Sequence, residues 1–166
     1  MKTNGKSRNI VLAVGIGMCV LTASAVLERI SPVLSGEMLQ VMSDMGHGEE
    51  IVIADANFPA HSVCDRVIRA DGIAADALLR GLAPLFTLDS YSVPVTMMKA
   101  VPGDRLDPNV EARYRKALGY TNAIERVDRF DFYRRASKAR AVIVSGETAK
   151  YGNVLLKKGV VPPFAD

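Results

Sequence analysis

The chain has 166 residues, with 21 Lys+Arg against 18 Asp+Glu, 49% hydrophobic and 23% charged residues, two Cys and two His. At about 100–200 residues per domain this is one domain with a sizeable core, and its apolar share is too high for an overall disordered chain. A formal charge of +3 with scattered basic residues argues against nucleic acid as the main partner, two cysteines exclude a disulfide scaffold, and two histidines leave little for a metal cluster.

Residues 1–25 stand apart. Lys2, Lys6 and Arg8 precede an apolar run from Ile10 to Leu21, which is followed by Ala23-Ser24-Ala25, the three-part layout of a secretory signal. The run is shorter than the roughly 20 residues a membrane helix needs, so no stable membrane span is expected. Met18 stands before Cys19 where lipidation wants a small residue, so lipidation is discounted. An upstream-called translation start and an ordinary packed helix compete with export as readings of this segment. The domain is expected over residues 26–166, with Cys64 its only cysteine and hence no internal disulfide. Its 18 basic and 18 acidic groups balance, because the net +3 lies wholly in residues 1–25.

The remainder alternates helical and strand patterns. Met38, Leu39, Met42 and Met45 recur at helical spacing over residues 35–45, with Ser35 as N-cap, Glu37 in the first turn and Gly46 as the stop. Ile51-Val52-Ile53-Ala54 reads as a buried strand, which puts Asp55 at its carboxyl end. Asn57-Phe58-Pro59 begins a loop, Val67-Ile68 suggests a short strand, and Ala70-Asp71-Gly72 a turn. Leu78, Leu79, Leu82 and Leu85 mark a helix from about Ala74 to Leu85. The apolar stretch within residues 94–101 reads as a strand, and Asp107-Pro108 opens a helix carrying Val110, Tyr114 and Leu118 up to Gly119. Ile124 to Val127 is expected as a strand, Asp131 to Lys138 as a helix, and Ala141 to Val144 and Asn153 to Leu156 as further strands. The expected fold class is a single α/β layered domain, its mixed or largely parallel sheet flanked by helices.

Candidate chemistry sits at loops and strand ends. His47 lies between two glycines just past a helix end, where a ligand could approach closely; the competing reading is a favourable partner for the helix dipole. Asp55 occupies the strand end at which α/β sheets usually present binding groups, with a loop cap as its alternative. His61 reads as a solvated loop residue. There is no H-E-x-x-H, no cysteine pair, and the histidines are fourteen positions apart, so a metal hydrolase is a poor fit. GETAKYG matches neither nucleotide-binding glycine pattern, and Ser145 lacks the G-x-S-x-G elbow. Arg129, Tyr133, Tyr151 and Asn153 bring together the groups that hydrogen-bond a sugar's hydroxyls and cover its apolar face; core tyrosines with a surface arginine are the alternative.

Five stretches taken in order, MGHGEEIVIADANFPAHS, IRADG, LFTLDSYSVP, DRFDFYRRASKA and SGETAKYGNVLLKKGV, resemble the RbsD/FucU family of sugar mutarotases, and within it the L-fucose branch. The resemblance runs from about Leu27 to Val160. It implies an α/β fold, interconversion of monosaccharide anomers or ring forms without metal or organic cofactor, and assembly into rings, often decamers, with sites shared between neighbouring subunits. Carried over residue by residue, it makes His47 the acid/base histidine and Asp55 a sugar-binding carboxylate. It adds Asp89, Arg129, Tyr133, Tyr151, Gly152 and Asn153 as sugar-contacting positions. The ribose pyranase branch typically carries His where this chain has Arg129, which favours L-fucose over D-ribose. Asn57, where some fucose mutarotases have His, slightly blurs that choice.

The chemistry matches these groups. Mutarotation takes the proton from the anomeric hydroxyl while the ring oxygen is protonated; the open aldehyde then rotates and closes on its other face. Each transfer calls for a group titrating near the working pH, and imidazole ordinarily titrates at about 6.5. His47 is therefore the expected acid/base, with Tyr133 taken beside it as catalytic and Asp89 or a water as further candidates for the complementary proton. Arg129, Asp55, Tyr151 and Asn153 are expected to hold the sugar. Relatives begin near the segment Ile30 to Ser35, which makes an internal start at Val26 a concrete alternative to export, and the cytoplasm is the expected location over the periplasm.

Overall fold

The structure, a computed structural model, describes residues 27–163. The signal-like segment, its apolar run and the 25/26 boundary lie outside these residues. Helix α1 (Gly36–Asp44) starts at Ser35, whose hydroxyl accepts the Met38 N–H at 3.2 Å. It is followed by β1 (Glu50–Ala54), α2 (Ala60–Val63), β2 (Val67–Ala70) and α3 (Ala75–Leu82), which runs on into a 3-10 turn over Ala83–Leu85. Strand β3 (Val95–Met98) leads to α4 (Pro108–Leu118), capped by the Asp107 carboxylate on Asn109 N–H and ended by Gly119 in the left-handed region at φ 62°. Then come β4 (Glu125–Val127), α5 (Arg129–Ala136), β5 (Val142–Ser145) and β6 (Val154–Lys157).

Two differences from the sequence reading have simple causes. Helix α5 begins at Arg129 rather than Asp131, because the Asp128 carboxylate accepts the Asp131 N–H and so caps a helix that starts two residues earlier; it ends at Ala136 rather than Lys138. The four-residue α2 reads as loop in the sequence, since one helical turn is too short to show a 3.6-residue period.

The six strands form one mixed sheet in the order β2-β5-β1-β6-β3-β4. Strand β6 runs antiparallel to both its neighbours, β1 and β3, while the other pairs are parallel. Alternation along buried strands sorts the core into two layers. Ile51, Ile53, Ile143, Val154 and Leu156 face α1, α3 and α4 with Met38, Val41, Leu78, Leu79 and Tyr114. Val52, Ala54, Val142, Val144 and Leu155 face α2 and α5 with Phe58, Phe132 and Ala136. Both faces are covered, which is why these strands read as continuous apolar runs. Each fully buried aliphatic side chain contributes about 2 kcal/mol through removal from water.

Topology also orients the two ends of the sheet. The carboxyl ends of β1, β3, β4 and β5 and the amino end of β6 lie on one side, so Asp55, Met98, Arg129 and Asn153 emerge together. His47 and Asp89 precede β1 and β3 and lie at the other end, beside the carboxyl end of β6: Gly48 N–H donates to Lys158 O at 2.7 Å and Asp89 N–H to Lys157 O at 3.0 Å.

Candidate active site

At the first of these ends is a cleft of about 420 Å³ lined by Asp55, Phe58, Arg129, Tyr133, Tyr151 and Asn153, together with Asn57, Met98, Val101, Asp104 and Lys150. Its volume falls in the roughly 300–1,000 Å³ range of small-molecule sites. Asp55 and Asn153 form its buried floor, 5% and 4% exposed. Asp55 N–H donates to Asn153 Oδ1 at 2.9 Å, Asn153 Nδ2 donates to Asp55 Oδ2 at 2.6 Å, and Asn57 N–H donates to Asp55 Oδ1 at 2.9 Å. Burial lifts the Asp55 carboxyl above the ordinary carboxylate range, more than the donors from Asn57 and Asn153 pull it down, and the Glu147 charge pushes the same way as burial. A buried carboxylate with an acceptor site open to a cleft is suited to binding a hydroxyl donor.

The walls are aromatic. Tyr133 stands edge-on to Phe58, ring centroids 5.2 Å apart at 89°, and to Phe130 at 6.4 Å and 87°. Arg129, the first residue of α5, stacks its guanidinium over Phe130 at 4.8 Å and is exposed toward solvent. Tyr151 also lines the cleft, with its backbone in the left-handed region at φ 60°.

The segment carrying Tyr151 and Asn153 is held from behind. Ser145 Oγ donates to Ala54 O at 2.7 Å, Ala56 N–H donates to Glu147 O at 2.7 Å, and Tyr114 OH donates to Gly152 O at 2.7 Å. Glu147, 8% exposed, accepts from Ala149 N–H and from Arg113, which also bridges to Asp76 on α3. Ser145 is thus a buried tie between strands, in keeping with its missing nucleophile motif. Gly152 is buried behind the cleft, where a Cβ would lie 2.7 Å from Glu147 Cγ and 2.9 Å from Ala149 O. It shapes the turn, while its neighbours line the cleft.

Of the residues singled out from sequence, Asp55, Arg129, Tyr133, Tyr151 and Asn153 come together, and His47 and Asp89 do not join them within one chain. Strand β1, five residues long at about 3.3 Å per residue, separates the two ends by roughly 17 Å. Proton transfer needs contact at about 3 Å. His47 is exposed in the Gly46–Gly48 turn. The last carbonyls of α1, the dipole role weighed for this histidine, are taken by Lys158 instead: its ammonium donates to Met42 O at 2.7 Å and Met45 O at 2.6 Å. Asp89 accepts from Ser92 Oγ at 2.7 Å and Ser92 N–H at 3.1 Å, which hold its carboxyl below the ordinary value. It lies in a second groove with Tyr91, Pro94 and Tyr120.

His61 is exposed on α2, and Cys64 is buried. Among the described residues no group of three or more His, Cys, Asp or Glu side chains is placed to hold a metal ion, and no helix is long and apolar enough to cross a membrane. Phe58, Met98, Val101 and Asp104 were not anticipated in the cleft. Position after a strand, as for Asp55, was the available signal for the loop following β3.

Comparison with known proteins agrees with this architecture. Residues 28–161 match the model of the RbsD / FucU transport protein family. The fucose mutarotase of Streptococcus pneumoniae, solved in complex with L-fucose, is 40% identical over 82% of this chain and 100% of its own, with a TM-score of 0.77. FucU from Bifidobacterium longum is 38% identical over 81% of this chain and 100% of its own, with a TM-score of 0.78. RbsD of Bacillus subtilis, complexed with D-ribose, shares the fold at 22% identity and a TM-score of 0.65, over 78% of this chain and 95% of its own. With the family model spanning the whole sheet and both ends that carry the singled-out residues, the chain belongs to the RbsD / FucU transport protein family.

Proposed function

We propose that the protein is a monosaccharide mutarotase acting on L-fucose, its cleft binding the sugar and His47 of a neighbouring copy completing the site. The observation that carries this reading is the convergence of Asp55, Arg129, Tyr133, Tyr151 and Asn153 in one cleft, in a chain 40% identical to a mutarotase complexed with L-fucose. The buried carboxylate and amide supply acceptor and donor to sugar hydroxyls, while Phe58, Met98 and Tyr133 offer apolar surface to a deoxy sugar.

The reaction is balanced without a redox partner. One group removes the O1 proton as the C1–O5 bond breaks, and O5 takes up a proton. The open aldehyde turns about C1–C2, and the same transfers run backwards on the other face. Tyr133, whose hydroxyl has no hydrogen-bond partner among the described residues, is free to face the sugar as one proton group, with His47 as the other. Because His47 lies about 17 Å from its own chain's cleft, the reading requires a homo-oligomer, and a decameric ring with interface sites meets that requirement. Such a catalyst, free of metal and organic cofactor, would act in the cytoplasm on sugar before an anomer-selective step, with residues 1–25 as an extension outside the 26–166 domain.

Saturation-transfer NMR of L-fucose, D-ribose and L-rhamnose tests the reading. Wild type is expected to accelerate L-fucose anomer exchange most, and His47→Ala to abolish the acceleration. No acceleration with any sugar overturns the catalytic reading and leaves a sugar-binding ring protein; a preference for D-ribose pyranose–furanose exchange reassigns the substrate.

A further inference from the structure

The loop between β3 and α4 reaches back over the cleft and holds Tyr151. Tyr151 OH donates to Asp104 Oδ2 at 3.0 Å, and Val101 N–H approaches the same phenol oxygen at 3.4 Å. Asp104 is itself fixed. Its Oδ1 accepts Arg105 N–H at 2.9 Å, its Oδ2 accepts Lys150 Nζ at 3.1 Å, and its own N–H donates to Val101 O at 3.0 Å across a turn with Gly103 at φ 87°. The donors from Arg105, Lys150 and Tyr151 keep the Asp104 carboxyl below its ordinary value, so it stays an acceptor through the neutral range.

We infer that Asp104 is a positioning residue for the sugar site: it clamps the Tyr151 ring as one wall of the cleft and commits the phenol proton to itself. Three observations meet here. Tyr151 is a bulky residue held at φ 60°, a conformation that persists only where its surroundings enforce it. Both partners of its hydroxyl come from one loop, in which Val101 is exposed and Asp104 is also held by Lys150, the residue before Tyr151. Tyr133, the other cleft phenol, has no such partner, so the two tyrosines are divided in role. Tyr151 presents its ring face and an already committed hydroxyl, which leaves proton donation to Tyr133. The inference deepens the mutarotase reading and rests on it only for the kinetic arm of its test.

The kinetic arm is a double-mutant cycle on L-fucose exchange with Asp104→Ala, Tyr151→Phe and the double variant. Each single change is expected to raise KM about tenfold with kcat within about threefold, and the double variant to be no worse than either single, because both remove one interaction. Additive losses, or a fall in kcat with KM unchanged, overturn the assignment. The second arm needs no activity. The protein has five tyrosines, so 3-fluorotyrosine labelling gives five 19F resonances, with Tyr151 assigned by its loss in Tyr151→Phe. Asp104→Ala is expected to shift and broaden the Tyr151 signal while thermal melting stays within a few degrees of wild type. An unmoved Tyr151 resonance in a folded Asp104→Ala protein overturns the clamp even if no sugar is turned over; a moved resonance without mutarotation retains the clamp and rejects the mutarotase reading instead.

Discussion

Asp55 and Asn153, adjacent across the β1–β6 boundary, exchange two hydrogen bonds: Asp55 N–H to Asn153 Oδ1 at 2.9 Å, and Asn153 Nδ2 to Asp55 Oδ2 at 2.6 Å. The pair lets an antiparallel strand and its neighbour end together around a buried carboxyl without leaving a polar atom unpaired. Asn153→Ala removes both bonds and orphans a buried N–H, so a loss of about 2 kcal/mol in urea unfolding is expected. The same variant should bind sugar more weakly, because the remaining carboxylate loses the donor that orients it. Unchanged stability and affinity would show that water replaces the amide at no cost.

The distance between His47 and Asp55 gives a test of where the site is completed. In the proposed arrangement His47→Ala spoils a neighbour's site, whereas Asp55→Asn spoils its own. Co-expressed with different tags and mixed at random in equal amounts, two inactive variants restore intact pairs in roughly a quarter of the sites of a symmetric assembly. Recovery near that level, read by L-fucose exchange in the doubly tagged fraction, is the expected result. No recovery would mean that both residues serve one chain's site.

Burial of Asp55 makes a signed prediction about pH. Its folded carboxyl titrates above the ordinary 3.8, so the folded state holds that proton more tightly than the unfolded chain. Its contribution to stability is therefore complete below pH 3.8 and declines as pH rises through the raised value. Asp71, Asp104, Glu125 and Asp128 are shifted down and slope the other way. The difference between wild type and Asp55→Asn isolates the one group: the wild type should lose stability relative to the variant as pH rises through this window. Sugar affinity, which needs the carboxylate as acceptor, should rise over the same window in wild type alone.

Much of the fold was legible because the strands are buried on both faces and so appear as short apolar runs, Ile51–Ala54 and Val142–Val144 among them, separated by capped helices. The antiparallel insertion of β6 between β1 and β3 was not legible, since pairing partners about a hundred residues away in β1 and about sixty in β3 leave no local pattern. The same division holds at the site. Asp55 could be placed from its position after a strand, whereas Asp104 acts on a phenol 47 residues away from a loop with no periodicity. The separation of His47 from the cleft followed only once β1 had a direction.

Gly152 and Gly36 make a contrasting pair. A methyl group at position 152 would stand 2.7 Å from Glu147 Cγ and 2.9 Å from Ala149 O, and the backbone carbonyl is one of the atoms that cannot swing away. Overpacking of this kind costs about 1–3 kcal/mol. The strain falls between Tyr151 and Asn153, so Gly152→Ala should lose stability in urea and also raise KM by displacing both cleft residues. At Gly36, in the first turn of α1, a methyl group would meet nothing within 4 Å, and alanine gains helix propensity of up to about 1 kcal/mol. Gly36→Ala should therefore be neutral or stabilising with kinetics unchanged. If Gly152→Ala matched it in both measurements, the segment from Glu147 to Asn153 would have to be soft enough to absorb a methyl group, and the rigid wall ascribed to Tyr151 would fall with it.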